Sequence, residues 1–184
     1  MNKNFTYLFL AGYGNSTGEH WQAKWFRKFP GAVWIEQKSW DYPVCEQWVN
    51  ELDKNIDQIQ QPVVIIAHSL GCLTFVEWTN QFPQKCQEKI IGALLVAVPD
   101  SDAESFPKDI SGYQQTDLDP LPIKSLMIAS QNDPYASISR TEFFARHWGS
   151  ELIWIGKMGH INLSAGFGDW QEGEKYLLEF LNCL

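Results

Sequence analysis

The chain is short of everything that marks a nucleic-acid binder, a disulfide scaffold or a membrane span. Lys and Arg number 14 against 22 Asp and Glu, a net charge of −8, and no basic block stands out. Nucleic acid and anionic membrane surfaces are therefore excluded as partners. Four cysteines (Cys45, Cys72, Cys86 and Cys183) are scattered with no C-x-x-C pair. That spacing fits neither a zinc site nor a disulfide framework, and leaves reduced thiols. The longest apolar run, Ile90–Val98, is far short of a bilayer span. Near the start, one Lys precedes Phe5–Ala11, which is too short and too poorly flanked for a signal peptide. A cytoplasmic location is the expectation. Internal repeats and low-complexity tracts are also missing.

What is present is a globular pattern. The 184 residues are 45% hydrophobic, enough for one domain, residues 1–184, with a sizeable core. Strand-length apolar runs recur at Tyr7–Ala11, Ala32–Glu36, Val63–Ala67, Ile90–Val98, Ser125–Ser130 and Glu151–Ile155. Several are apolar at nearly every position, as strands buried on both faces are. Between them Cys45, Trp48, Val49, Leu52, Ile56 and Ile59 follow helical spacing. Further helices are expected over Leu70–Asn80, over Ser139–Trp148 with Gly149 ending it, over Glu172–Leu181, and from near His20. Alternating strands and helices predict an α/β fold, a three-layer α/β/α sandwich on a mostly parallel sheet. Residues 99–122 carry four prolines and no periodicity. They read as a wall or small lid beside a site, or as a plain surface excursion.

The most informative stretch is Val63–Gly71. A β-branched run ends in Ala67-His68-Ser69-Leu70-Gly71, and a helical pattern follows. This is the layout of a nucleophile elbow, a strained strand-to-helix turn that exposes a serine Oγ. The turn needs small residues two before and two after the serine, and Ala67 and Gly71 supply them. A serine needs a base, and the base needs an orienting acid. In this architecture the order is serine, acid, histidine, each at a strand's carboxyl end. Asp133 follows the fifth strand and His160 the sixth. Asp100, past the fourth strand, is the runner-up acid; Asp102, Asp117 and Asp119 lie near candidate loops. His68 and His147 read as structural or wall residues, while His20, in a loop bordering the site, is a substrate-binding candidate. Oxyanion donors are expected from the Leu70 N–H and, across the glycine-rich loop Ala11–Ser16, from the Tyr13 N–H beside Gly12. That loop has a rival reading as a dinucleotide site. The third glycine is missing, however, and only Glu36 stands where a ribose-binding acid belongs. Of nine tryptophans, Trp21, Trp25, Trp40 and Trp48 cluster early. Core packing explains such residues, with Trp21 or Trp40 the candidates to line an acyl pocket.

These segments together resemble the small serine hydrolases of the α/β-hydrolase superfamily grouped with retinoblastoma-binding protein nine and the bacterial protein YdeN. The matching stretches are Gly12–Ser16 leading into His20–Trp25, Ala67–Gly71, Asn132–Tyr135, Trp148-Gly149 and Gly159–Asn162. The resemblance implies a compact core without a large cap. It implies Ser69 as nucleophile, Asp133 as acid and His160 as base. With the crossover rule it implies strand order 2-1-3-4-5-6. The expected activity is cleavage of a small carboxylic ester or related acyl compound, with no metal or organic cofactor. Acyl transfer uses the same triad. A protein-binding module is the reading from another class; a complete Ser, Asp and His set argues against it.

Overall fold

Strands apolar at every position require helices on both faces of the sheet, and the computed structural model of the chain builds that arrangement. It describes residues 5–113 and 119–184. The strands are β1 (Thr6–Leu10), β2 (Val33–Trp34), β3 (Val63–His68), β4 (Ile90–Val96), β5 (Ser125–Ala129) and β6 (Glu151–Trp154). They form one parallel sheet in the expected order, β2-β1-β3-β4-β5-β6. The helices are α1 (Trp21–Lys28), α2 (Cys45–Gln58), α3 (Leu70–Gln81), α4 (Pro83–Lys89), α5 (Ile138–Trp148) and α6 (Gln171–Asn182). Among the described residues there is no cap domain, and no helix is long and apolar enough to cross a membrane.

The sheet's two faces divide its side chains by the period of two that a strand imposes. Leu8, Leu10, Val63, Ile65, Ala67, Leu95 and Met127 pack with Trp48 and Leu52 of α2, Phe75 of α3, and Phe144 and Trp148 of α5. Phe9, Val64, Ile66, Leu94, Val96 and Ile128 pack with Trp21 and Trp25 of α1 and with Leu177 and Phe180 of α6. Two separate apolar layers therefore clamp one sheet, and residues 63–67 are wholly buried between them.

Three elements differ from expectation. β2 is two residues long rather than Ala32–Glu36 and pairs with β1 through Leu8↔Val33 and Phe9↔Trp34. α4, with Pro83 in its first turn, spans seven residues, too few to show a helical period. A single 3₁₀ turn, Leu163–Ala165, is capped by Asn162. Of the stretch 99–122, residues 114–118, Asp117 among them, lie outside the described residues.

In a parallel sheet all carboxyl ends lie on one side. β1 sits between β2 and β3, so the chain leaves β1 towards one edge and enters β3 on the other. Ligands bind at such a switch point, and here the loop after β1 meets the turn after β3.

Candidate active site

The turn after β3 is held in a conformation that L-residues avoid. Ser69 has φ 53° and ψ −125°, a strained geometry that surrounding structure has to enforce. Its amide donates to the Val96 carbonyl at 2.9 Å, tying the turn to β4. Glycine is required at position 71: a Cβ there would stand 2.4 Å from the Leu10 carbonyl oxygen. The first turn of α3 thus rests directly on the backbone end of β1. Gly12 comes as close on the other side, where a Cβ would meet Ser69 Cβ at 2.7 Å.

Ser69, His160 and Asp133 are joined by hydrogen bonds. His160 Nδ1 donates to the Asp133 carboxylate, at 3.0 Å to Oδ1 and 2.9 Å to Oδ2. A carboxylate only accepts, so the proton sits on Nδ1 and leaves Nε2 with a lone pair. Nε2 stands 2.8 Å from Ser69 Oγ. The Asp133 and His160 side chains are buried, at 4% and 9% exposure. Asp133 Oδ1 also accepts the Tyr135 N–H at 2.9 Å, and the Tyr135 ring stands edge-on to His160 with centroids 4.6 Å apart. Asp100 is differently engaged. Its carboxylate takes a bidentate pair of bonds, both 2.9 Å, from Arg140.

The loop that carries His160 is pinned from four sides. His68 Nε2 donates to the His160 carbonyl at 3.0 Å, and Trp21 Nε1 donates to the Ile161 carbonyl at 2.9 Å. The Met158 N–H donates to Ser130 Oγ and the Gly159 N–H to Asn132 Oδ1, both at 2.8 Å. Ser130 Oγ in turn donates to Asn132 Oδ1 at 2.8 Å. These pins hold Ile161 at φ 49°, a costly conformation for a β-branched residue. Asn132 belongs to a stretch that carries the resemblance, but neither it nor Ser130 has a role assigned from the sequence. Their shared signal is a polar pair at a strand end beside Asp133, and their partners lie 27 and 28 residues away.

Three histidine rings adjoin one another beside the site, edge-on or tilted. The His20 and His68 centroids are 5.0 Å apart, and those of His68 and His160 5.1 Å. Burial first, and the neighbouring His160 second, push the pKa of His20 down to about 4. The same causes hold His68 well below its ordinary value. His20 Nδ1 accepts the Gln22 N–H and so caps α1. Nδ1 of His20, Nε2 of His68 and both nitrogens of His160 are engaged by protein groups, while His20 Nε2 is buried without a hydrogen-bond partner. Among the described residues no cluster of His, Cys, Asp or Glu is placed to hold a metal ion.

A cavity of about 260 Å³ opens over Ser69. Gly12, Tyr13, His20, Leu70 and His160 line it, as do Asn15, Ser16, Pro99, Phe106, Pro107, Ile110, Leu163 and Ser164. The amides of Tyr13 and Leu70 have no acceptor among the described residues. Residues 99–110 therefore form a wall. Neither Trp21 nor Trp40, the acyl-pocket candidates, belongs to the lining. Trp21 is wholly buried between Trp25 and Trp170 and pins Ile161. Trp40 packs edge-on against Trp48, and its carbonyl accepts the Gly14 N–H. His147 lies on α5, its Nδ1 against the Phe143 carbonyl, apart from the lining.

An open parallel sheet, a strained serine turn at its switch point and a compact body without a cap domain define an α/β-hydrolase fold. The model of the family described as Serine hydrolase matches residues 7–179, and the chain belongs to that family. It is similar to the solved structure of a YdeN-like hydrolase from Pectobacterium atrosepticum SCRI1043. Identity is 36%, coverage is 96% of this chain and 90% of that one, and the TM-score is 0.83. The ydeN gene product of B. subtilis superposes with a TM-score of 0.78 at 18% identity, over 97% of this chain and 99% of that one. MGS-MChE2, an α/β hydrolase from the metagenome of lagoon sediments at Mar Chica, Morocco, gives 0.74 at 17% identity, over 97% and 91%. These two likenesses speak to fold alone. No curated protein matches the chain.

Proposed function

We propose that the chain hydrolyses a small carboxylic ester or related acyl compound through an acyl-enzyme on Ser69. The observation that carries this reading is the continuous chain from Ser69 Oγ through His160 to Asp133, at 2.8 Å and 2.9 Å. Ser69 Oγ attacks the carbonyl carbon while His160 Nε2 takes the hydroxyl proton. Asp133 holds the imidazole tautomer and stabilises the imidazolium. The carbonyl oxygen, now negative, faces the Tyr13 and Leu70 amides. Collapse breaks the bond to the leaving group, which receives the proton from Nε2. Water then repeats the sequence, its proton going to His160, and the ester to Ser69 breaks. Each step uses side chains and main-chain amides alone. Buried thiols at Cys45, Cys72 and Cys86 suit a reducing compartment, in keeping with a cytoplasmic setting.

The test is labelling with a fluorophosphonate. Wild-type protein is expected to label at Ser69 alone and to cleave a p-nitrophenyl ester; Ser69→Ala loses both and keeps its melting temperature. Labelling that persists in Ser69→Ala refutes the assignment.

A further inference from the structure

The cavity over Ser69 has two unlike sides. Pro99, Phe106, Pro107 and Ile110, all from the segment after β4, make one side apolar. Asn15 and Ser16 after β1, with Asn162 and Ser164 beyond His160, make the other polar but uncharged. Among the described residues, no Lys, Arg, Asp or Glu side chain lines the cavity. Arg140, which holds the wall, is already occupied by Asp100 and Asp102.

The apolar wall is preformed. At its start, the Asp100 N–H donates to the Tyr135 carbonyl at 2.9 Å and Ser105 Oγ to the Pro134 carbonyl at 2.8 Å. At its far end, the Ser111 N–H donates to the Pro43 carbonyl and the Cys45 N–H to the Ser111 carbonyl, both at 2.9 Å. Pro107 stiffens what lies between. The backbone of the wall is thus held at both ends, and none of its charged side chains lines the cavity.

We propose, resting on the Ser69 reading above, that the substrate is an uncharged ester with an apolar acyl chain, and that the 99–110 wall selects it. His160 returns its proton to the leaving group, which therefore lies beside the residues that follow His160, Asn162–Ser164. The acyl chain is left with Phe106, Pro107 and Ile110. A cavity of about 260 Å³ suits a short acyl chain rather than a long one. A carboxylate at the far end of such a chain would be desolvated with no cation to meet it, so the site rejects it.

The experiment compares two esters of one alcohol that match in acyl length, a pentanoate and a hemisuccinate. Wild-type kcat/KM is expected to favour the pentanoate by about 100-fold or more. Ile110→Lys is expected to narrow that ratio at least about tenfold, mainly by raising hemisuccinate cleavage. Phe106→Lys is a second, independent variant of a half-buried position, and is expected to act in the same direction. Equal wild-type rates on the two esters overturn the proposal without touching the reaction, provided Ser69 still takes the fluorophosphonate. Unchanged ratios in both folded variants overturn the assignment of selectivity to the wall. A wild-type protein that neither labels nor cleaves either ester removes the Ser69 reading instead.

Discussion

Gly12→Ala probes the contact on which the whole site depends. The added carbon would stand 2.7 Å from Ser69 Cβ and 3.2 Å from Ser69 Oγ. Contacting carbons settle at about 3.5–4.0 Å, so one partner has to retreat by about 1 Å. Ser69 has little freedom to do so. Its backbone is fixed at φ 53°, its amide is bonded to Val96, and its Oγ faces His160 Nε2 at 2.8 Å. The displacement falls either on Oγ or on the Gly12-Tyr13 peptide, which carries one of the two open amides. A misplacement of about 1 Å at a reacting centre costs about 100-fold in rate, and that is the expected loss in kcat/KM. Overpacking should cost roughly 1–3 kcal/mol; at about 2–4 °C per kcal/mol, Tm falls by about 2–12 °C. Gly14→Ala is the control. Gly14 lies in the same loop at φ +73°, but a Cβ there meets nothing within 4 Å. It should lower Tm by a few degrees through backbone strain alone and keep turnover near wild type. Esterase kinetics and thermal melts on both variants decide the matter. A Gly12→Ala protein with wild-type turnover and Tm refutes the close approach. Equal rate losses in both variants refute its specificity.

Three further outcomes follow from groups around the site. His20 titrates at about 4 in the folded chain and near 6.5 when unfolded, so between those values only the unfolded chain takes up the proton. Stability therefore falls on acidification through that window, by about 3 kcal/mol at about 1.36 kcal/mol per pH unit. His20→Asn keeps a capping side chain and should flatten part of this slope in melts at pH 7, 5.5 and 4.5; the part due to His68 remains, and an unchanged slope contradicts the assignment. Asp133→Asn should lower kcat by up to about 10⁴-fold with little change in Tm. Asp100→Asn cuts a charged pair with Arg140, and should cost roughly 1.5–3 kcal/mol of stability. If Asp100→Asn abolishes turnover and Asp133→Asn does not, the orienting acid follows β4.

Much of the architecture was legible because it rests on local patterns. Val63–Ala67 is apolar at every position, and only a strand covered on both faces uses such a run. Gly149 ends α5 in the left-handed conformation, φ 66°, as its place after Trp148 predicts. What escaped notice was made at a distance. Trp21 carries two readings in the sequence, core packing and an acyl-pocket wall, because a large aromatic suits both. The indole turns into the helix layer, where its N–H finds Ile161. His68 has the structural or wall role its place in the elbow suggests, but its partner, the carbonyl of His160, lies 92 residues on. Ser130 and Asn132 likewise take their meaning from amides beyond β6. Side-chain direction decides each of these, and spacing along a chain does not report it.

The pins on the His160 loop also impose an order of events on the chain as it is made. Trp21, which anchors Ile161, is 140 residues upstream of it, and the anchors at His68, Ser130 and Asn132 likewise emerge before the loop they hold. A growing polypeptide can display the serine turn once β3 and β4 have paired, but the base has no fixed position until the loop after β6 reaches anchors laid down earlier. Up to that point the serine is an ordinary alcohol. On the reading of Ser69 proposed above, the fold thereby acts as its own delay on the reactivity of that serine.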